Sequence, residues 1–262
     1  ITFSQAPSGT AGATMSTITN PLVINAAGKV GIGTSSNLQG TLTVFNGDDF
    51  STASNNSSDN IYLISDATSG DGVYGASISF SRVQYPDRKG AAIAAVQKGS
   101  DEDNVGLAFF THPSATATDP LVETMRIDSA GIVTMPYQPA FQAYSDSNAG
   151  QIAAGYYTWT SELLDNGNNF SSSAFTAPIS GIYTFTANVQ MYGMVTSSMQ
   201  MEIRKNGVKI ATAAYGTSAS GTDHDDLAAT VVVYLNTNDS VKVYRGSTTR
   251  GMQSRFSGYL IG

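Results

Sequence analysis

The sequence predicts an all-β protein, and three observations carry the prediction. No stretch of eleven or more residues spaces its apolar side chains as a helix face would, at i, i+3, i+4 and i+7. Short alternating runs bounded by Gly, Asn, Asp and Ser fill the chain instead. The composition supplies a core, with 41% hydrophobic and 10% aromatic residues, while only 13% are charged, against about 25% in an ordinary globular domain. The 262 residues allow one large all-β domain or two to three small ones.

Charge and residue types narrow the function. The net charge is −7, and the 13 Lys and Arg are scattered rather than gathered into the basic stripe that phosphate binding requires, so no nucleic-acid partner is expected. No apolar run approaches the ~20 residues of a membrane span, and no leader pattern precedes the first strand. The absence of cysteine excludes disulfides, thiolate catalysis and cysteine-ligated zinc. The chain starts at Ile1 without Met, as a piece of a longer protein would.

The elements follow in order. Residues 24–30, INAAGKV, and residues 127–133, IDSAGIV, share one pattern. In each, an apolar strand end meets Asn25 or Asp128, whose side chain can bond the backbone two residues on. Gly28 or Gly131 then supplies the positive φ that closes the turn. The repeat divides the chain into residues 1–37, an N-terminal β segment, residues 38–136, a small-residue-rich β domain, and residues 137–262. The middle part reads as strands GTLTVF, NIYLIS, GASISFSRV, GAAIAAV and VGLAFFT. Pro136 and Pro139 flank a connector.

The last part has the strongest signals. In GIYTFTANV, Tyr183, Phe185, Ala187 and Val189 alternate with Thr184, Thr186 and Asn188, a strand with one buried face. Met199, Met201 and Ile203 alternate with Gln200, Glu202 and Arg204. Asn206-Gly207 marks a two-residue hairpin. LAATVVVYL, DSVKVYRG and SRFSGYLIG complete about eight strands, the count of a sandwich or jelly roll.

Chemistry is sparse. His112 precedes a proline in a loop-like stretch and carries no triad. His224 lies among Asp223, Asp225 and Asp226, in GTDHDDL. Clustered carboxylates suit a hard cation such as calcium, so these three are candidate metal ligands; a solvated acidic loop is the competing reading. The Gly-x-Gly of KVGIGT has no helix after it to receive a phosphate. No catalytic residue and no cofactor-binding residue is assigned. Tyr156, Tyr157 and Trp159 could stack on sugars, but alternation places Trp159 in the core. The small polar stretches 192–198 and 216–226 are where loop-borne recognition is expected first.

FTAPISGIYTF at 175–185, the NG hairpin and FSGYLI at 256–261 resemble the C1q-like globular domain. Phe175, Pro178, Gly181, Tyr183, Phe185, Phe256, Gly258 and Leu260 fit its positions, and NNFSSSAF at 168–175 fits the loop entering its core. The resemblance covers roughly 140–262 and implies a C1q/TNF-like jelly-roll β-sandwich that forms a homotrimer. A looser resemblance links MRIDSAGIV and INAAGKVGIGT to a segment repeated in phage tail fibres, and implies a β-rich trimeric fibre or shaft module before the head.

Together these imply a non-enzymatic structural protein of a virion tail fibre, located on the particle and hence extracellular. Its N-terminal part would dock on other virion proteins. Its head would bind a host surface receptor, glycan or envelope protein. The alternatives are a decoration or adaptor protein whose head serves assembly, and a cellular adhesin.

Overall fold

The computed structural model describes residues 2–5, 19–32, 38, 40–45, 49–53, 59–66, 68–84, 87–116, 118–146, 151–152, 154–192, 199–215, 224–246 and 249–262. The described residues form strands and turns, with no helix among them, so the all-β expectation holds. Internal contacts divide the chain into two units, Ile1–Leu107 and Ala108–Gly262.

In the first unit β1 (Thr2–Gln5), β2 (Thr19–Ile24), β3 (Val30–Ile32) and β4 (Leu42–Val44) form a sheet in that order. β1, β2 and β3 are antiparallel, and β4 joins β3 in parallel. Further on, β5 (Tyr74–Phe80) pairs antiparallel with β6 (Ala91–Gln97), setting Ile78 opposite Ile93 and Phe80 opposite Ala91. β6 buries Ala92, Ala94 and Val96, whereas Tyr74, Ile78 and Phe80 of β5 stay exposed. The expected strand NIYLIS does not form. Residues 61–64 carry four consecutive apolar side chains, all exposed, and no described strand lies alongside to take their backbone hydrogen bonds. Alternation within a short run predicts extended backbone; only a partner strand makes it a sheet.

β7 (Val105–Thr111), β8 (Val122–Ile127) and β9 (Val133–Thr134) follow. The repeated motif builds the same turn twice. Asn25 Oδ1 accepts from the backbone N–H of Ala27 and Lys29, both at 3.0 Å, and Gly28 has φ 76°. Asp128 Oδ1 accepts from Ala130 and Ile132, both at 2.9 Å, and Gly131 has φ 81°. The pairs that close them also correspond, Ile24 with Val30 and Ile127 with Val133. The left-handed conformation makes glycine the natural residue at both positions.

The rest of the second unit comprises β10 (Ala140–Ser145), β11 (Gln151–Ile152), β12 (Gly155–Tyr156), β13 (Ser161–Asn166), β14 (Phe170–Ser171), β15 (Ala174–Thr176), β16 (Gly181–Tyr192), β17 (Met199–Lys205), β18 (Val208–Tyr215), β19 (His224–Leu235), β20 (Ser240–Arg245) and β21 (Thr249–Leu260). One sheet has the order β13-β10-β21-β16-β19, with β11 on β21; the other runs β14-β15-β20-β17-β18, with β12 on β20. The strands outnumber the expected eight or so mainly because three of them, β11, β12 and β14, are two-residue pairings with no periodicity to read.

Between the sheets lies an aromatic core. Phe141 stacks on Phe170 and Phe175, with ring centroids 4.6 and 5.1 Å apart, and meets Phe256 edge-on at 4.9 Å. Tyr183, Phe185, Ala187 and Val189 are all fully buried, as their alternation predicts. Gly258 is fixed by this packing: a Cβ there would meet the rings of Phe185 at 2.7 Å and Phe141 at 2.9 Å. At Gly181 a Cβ would stand 2.7 Å from a terminal methyl of Leu260 and 3.0 Å from the Gly262 carbonyl oxygen, so the end of the chain would have to give way. Gly258 is therefore a place where no side chain fits.

The turns agree in part with the sequence. Asn206 and Gly207 have φ of 49° and 83°, the predicted two-residue hairpin. The NNFSSSAF stretch, expected to be a loop, contains a second hairpin of the same kind between β14 and β15. Its central residues Ser172 and Ser173 have φ of 49° and 61°, and Ser-Ser gives no sequence signal for that geometry.

Candidate functional site

The β-sandwich of the second unit presents two outward faces. On the β16–β19–β21 face, register makes Ile182 the neighbour of Tyr234, and Thr184 the neighbour of both Val232 and Tyr259. Ile182, Val232, Tyr234 and Tyr259 are all exposed, Val232 by 61%. They form one apolar patch at cross-strand spacing. Farther along the same strands the face turns polar, with the Thr186 and Thr230 hydroxyls 3.0 Å apart. A contiguous apolar patch on an otherwise polar surface marks an interaction site.

The opposite face carries a row of side chains across four strands, Tyr156, Tyr244, Glu202 and Thr212. The Arg204 guanidinium lies 3.5 Å over the Tyr244 ring, and its Nε donates to Glu202 at 2.6 Å. Lys209 and Gln200 also reach Glu202. Three partners fold over one carboxylate, which explains why Glu202 is buried although its place in the strand faces outward. Alternation alone could not reveal this. Tyr156 is the exposed ring of the row, 5.5 Å from Tyr244 and edge-on to it.

Of the three expected aromatics, Tyr156 is thus the exposed one. Tyr157 and Trp159 are buried, their rings 4.3 Å apart. Trp159 is core, as alternation indicates.

Asp239 was not singled out by the sequence, yet it ties two hairpins together. It accepts from Asn206 Nδ2 and from the Asn236 N–H, each at 2.7 Å, and pairs with Lys205 at 2.8 Å. Lys205 and these donors hold its carboxyl at about 2, below the usual carboxylate range. In the core, burial pushes the Tyr183 phenol up, although its hydroxyl donates to the Ile179 carbonyl at 2.8 Å.

Of the candidate calcium ligands, Asp223 lies outside the described residues. Asp225 and Asp226 sit within β19, in register with Met191 and Gln190, rather than in the loop expected there; the strand begins at His224. Asp226 is exposed. Among the described residues no group of three His, Asp or Glu side chains is placed to hold a metal ion. Of the expected recognition loops, 192–198 and 216–226, residues 193–198 and 216–223 lie outside the described residues, while Tyr192 ends β16 and residues 224–226 open β19. In the first unit, Ser65, Thr68, Ser69, Gln97 and Glu102 line an open cleft of about 250 Å³ with Val73 and Val105.

Two aromatic-cored sheets in these orders define a C1q/TNF-like jelly roll. Residues 140–261, the head domain, match the C1q domain family. Among solved structures, the globular domain of zebrafish complement 1qA protein is 17% identical, over 48% of this chain and 98% of its own, with a TM-score of 0.41. Murine APRIL at pH 5.0 is 12% identical, over 47% of this chain and 99% of its own, with a TM-score of 0.40. Murine APRIL at pH 8.0 gives 11%, 47%, 99% and 0.39. C1q/TNF domains usually form homotrimers and are typically non-enzymatic modules for ligand binding or structure.

Proposed function

We propose that this protein is a homotrimeric virion fibre of the tail-fibre type whose C1q head binds a host surface receptor, a glycan or an envelope protein. The supporting observation is a combination: a C1q head follows a stretch bracketed by two bond-for-bond copies of a turn that resembles a recurrent phage-fibre segment. In this reading the Ile182, Val232, Tyr234 and Tyr259 patch packs against the neighbouring heads, and three heads add avidity to weak single contacts. The apolar residues 61–64 and the exposed side of β5 are covered by the other two copies. The N-terminal segment docks on other virion proteins.

Light scattering on the intact chain, with and without a chelator, tests the assembly. A stable trimer is expected, and a monomer refutes the reading. Loss of the trimer on chelation would assign calcium to the Asp223, Asp225 and Asp226 region. Binding of the labelled trimer to a panel of intact bacteria and to arrayed glycans tests recognition. A trimer that binds none of them favours the adaptor alternative.

A further inference from the structure

Among the described residues, the buried side-chain polar atoms without a hydrogen-bond partner are Trp159 Nε1, Arg245 Nε and Arg245 Nη1. All three are donors, and both residues adjoin one ring. The Tyr157 ring lies 4.3 Å from that of Trp159, and the Arg245 guanidinium carbon lies 4.9 Å from the Tyr157 centroid.

Arg245 stands where the strand pattern calls for an aliphatic residue. Val241, Val243 and Arg245 share the buried face of β20, while Lys242 and Tyr244 face outward. Only 2% of Arg245 is exposed. Its cross-strand neighbours are Met201, fully buried, and Gly155, where a Cβ would meet nothing within 4 Å. Gly155 therefore sets no side chain beside Arg245. The other sheet also turns polar towards the end where β20 passes into β21: Ser145 and Ser254, both buried, oppose each other there.

No described carboxylate answers the charge. Glu202 points to the opposite face and holds Arg204 and Lys209. Asp146 pairs with Arg255, and Asp239 with Lys205. A guanidinium cannot shed its proton to escape burial. An unpaired buried charge is costly, and a ring face offsets only part of that cost. Burial accordingly draws the Arg245 pKa down, with Tyr157 the one group opposing it. Donors without acceptors call for an acceptor; a cation without a counter-charge calls for a negative one.

We propose that the head binds a small inorganic anion, of chloride size, at Arg245. The test is thermal unfolding of the full chain in sodium chloride against sodium gluconate at equal ionic strength. Chloride at about 200 mM should raise the midpoint of the head's transition by about 4 °C over gluconate. Arg245→Met and Arg245→Gln should lose that difference. A general salt effect would move the variants as much as the parent, and that result overturns the proposal, as does an equal midpoint for the parent in both salts. Should the variants fail to fold, crystals of the unaltered chain grown in bromide decide. An anomalous peak at hydrogen-bond distance from Arg245 Nε or Nη1 is expected, and its absence overturns the proposal.

Discussion

The head and the stretch from residue 40 to 135 use similar strand chemistry but dispose of their apolar residues differently. In the head, Phe141, Phe175, Tyr183, Phe185 and Phe256 close around one another and are shut away from water. In the earlier stretch, Tyr62 and Ile64 are 75% and 80% exposed, and Ile78, Phe80, Val105 and Leu107 are exposed too. The aromatic core makes the head self-sufficient. The earlier stretch buries mainly alanine and valine, which contribute little transfer energy per side chain. The first kind of core is closed by the chain's own aromatic rings; the second leaves large apolar side chains in the open.

The sharpest way to break the contrast is Gly258→Val. Its side chain has nowhere to go between Phe185 and Phe141, so the head should lose its cooperative near-ultraviolet circular dichroism transition altogether. Phe185→Ala should cost about 3–5 kcal/mol by denaturant titration of the same transition.

Next in size, Ile64→Glu should leave that transition unmoved while lowering the mass seen by light scattering. A trimer that tolerates this charge would show that residues 61–64 are not covered by other copies.

Asp128→Ala, which removes the acceptor for two backbone N–H groups, should destabilise its hairpin by about 1 kcal/mol. Asn25→Ala should do the same to the other copy. Hydrogen exchange at Ile132 and Lys29 reads each turn separately, and unequal effects would break the equivalence of the two.

The smallest effect concerns acid. Asp239 has a folded pKa of about 2, below the ordinary 3.8. The lowered value stabilises the fold above the unfolded pKa, and that contribution is lost as pH falls from about 3.8 through 2. Asp239→Asn should flatten the stability profile of the head within this window and leave its slope above pH 5 alone.

Much of the head was legible because its signals are local and periodic. Tyr183 to Val189 alternate, Asn206-Gly207 names its own turn, and Gly181 and Gly258 sit at motif positions whose reason the packing supplies. The repeated Asn25 and Asp128 turns were legible for the same cause, since each closes within five residues. What escaped the sequence depends on how side chains fold over one another or meet across strands, which alternation does not encode. Glu202 is buried by Arg204, Lys209 and Gln200, and Arg245 by Tyr157 and Met201. Residues 60–65 have the composition of a strand, but no strand among the described residues pairs with them. Ser172-Ser173 adopts a turn that neither serine advertises.

The Asn206-Gly207 turn also bears on how the protein ages. Asn-Gly is the dipeptide most prone to deamidation, which begins when the glycine nitrogen attacks the asparagine side-chain carbonyl. Here that amide is held at both ends: its nitrogen donates to Asp239, and its oxygen accepts from the Ser240 N–H at 2.8 Å. A side chain so tethered cannot swing onto the following backbone nitrogen. The hairpin would stay chemically intact for as long as the domain around it stays folded.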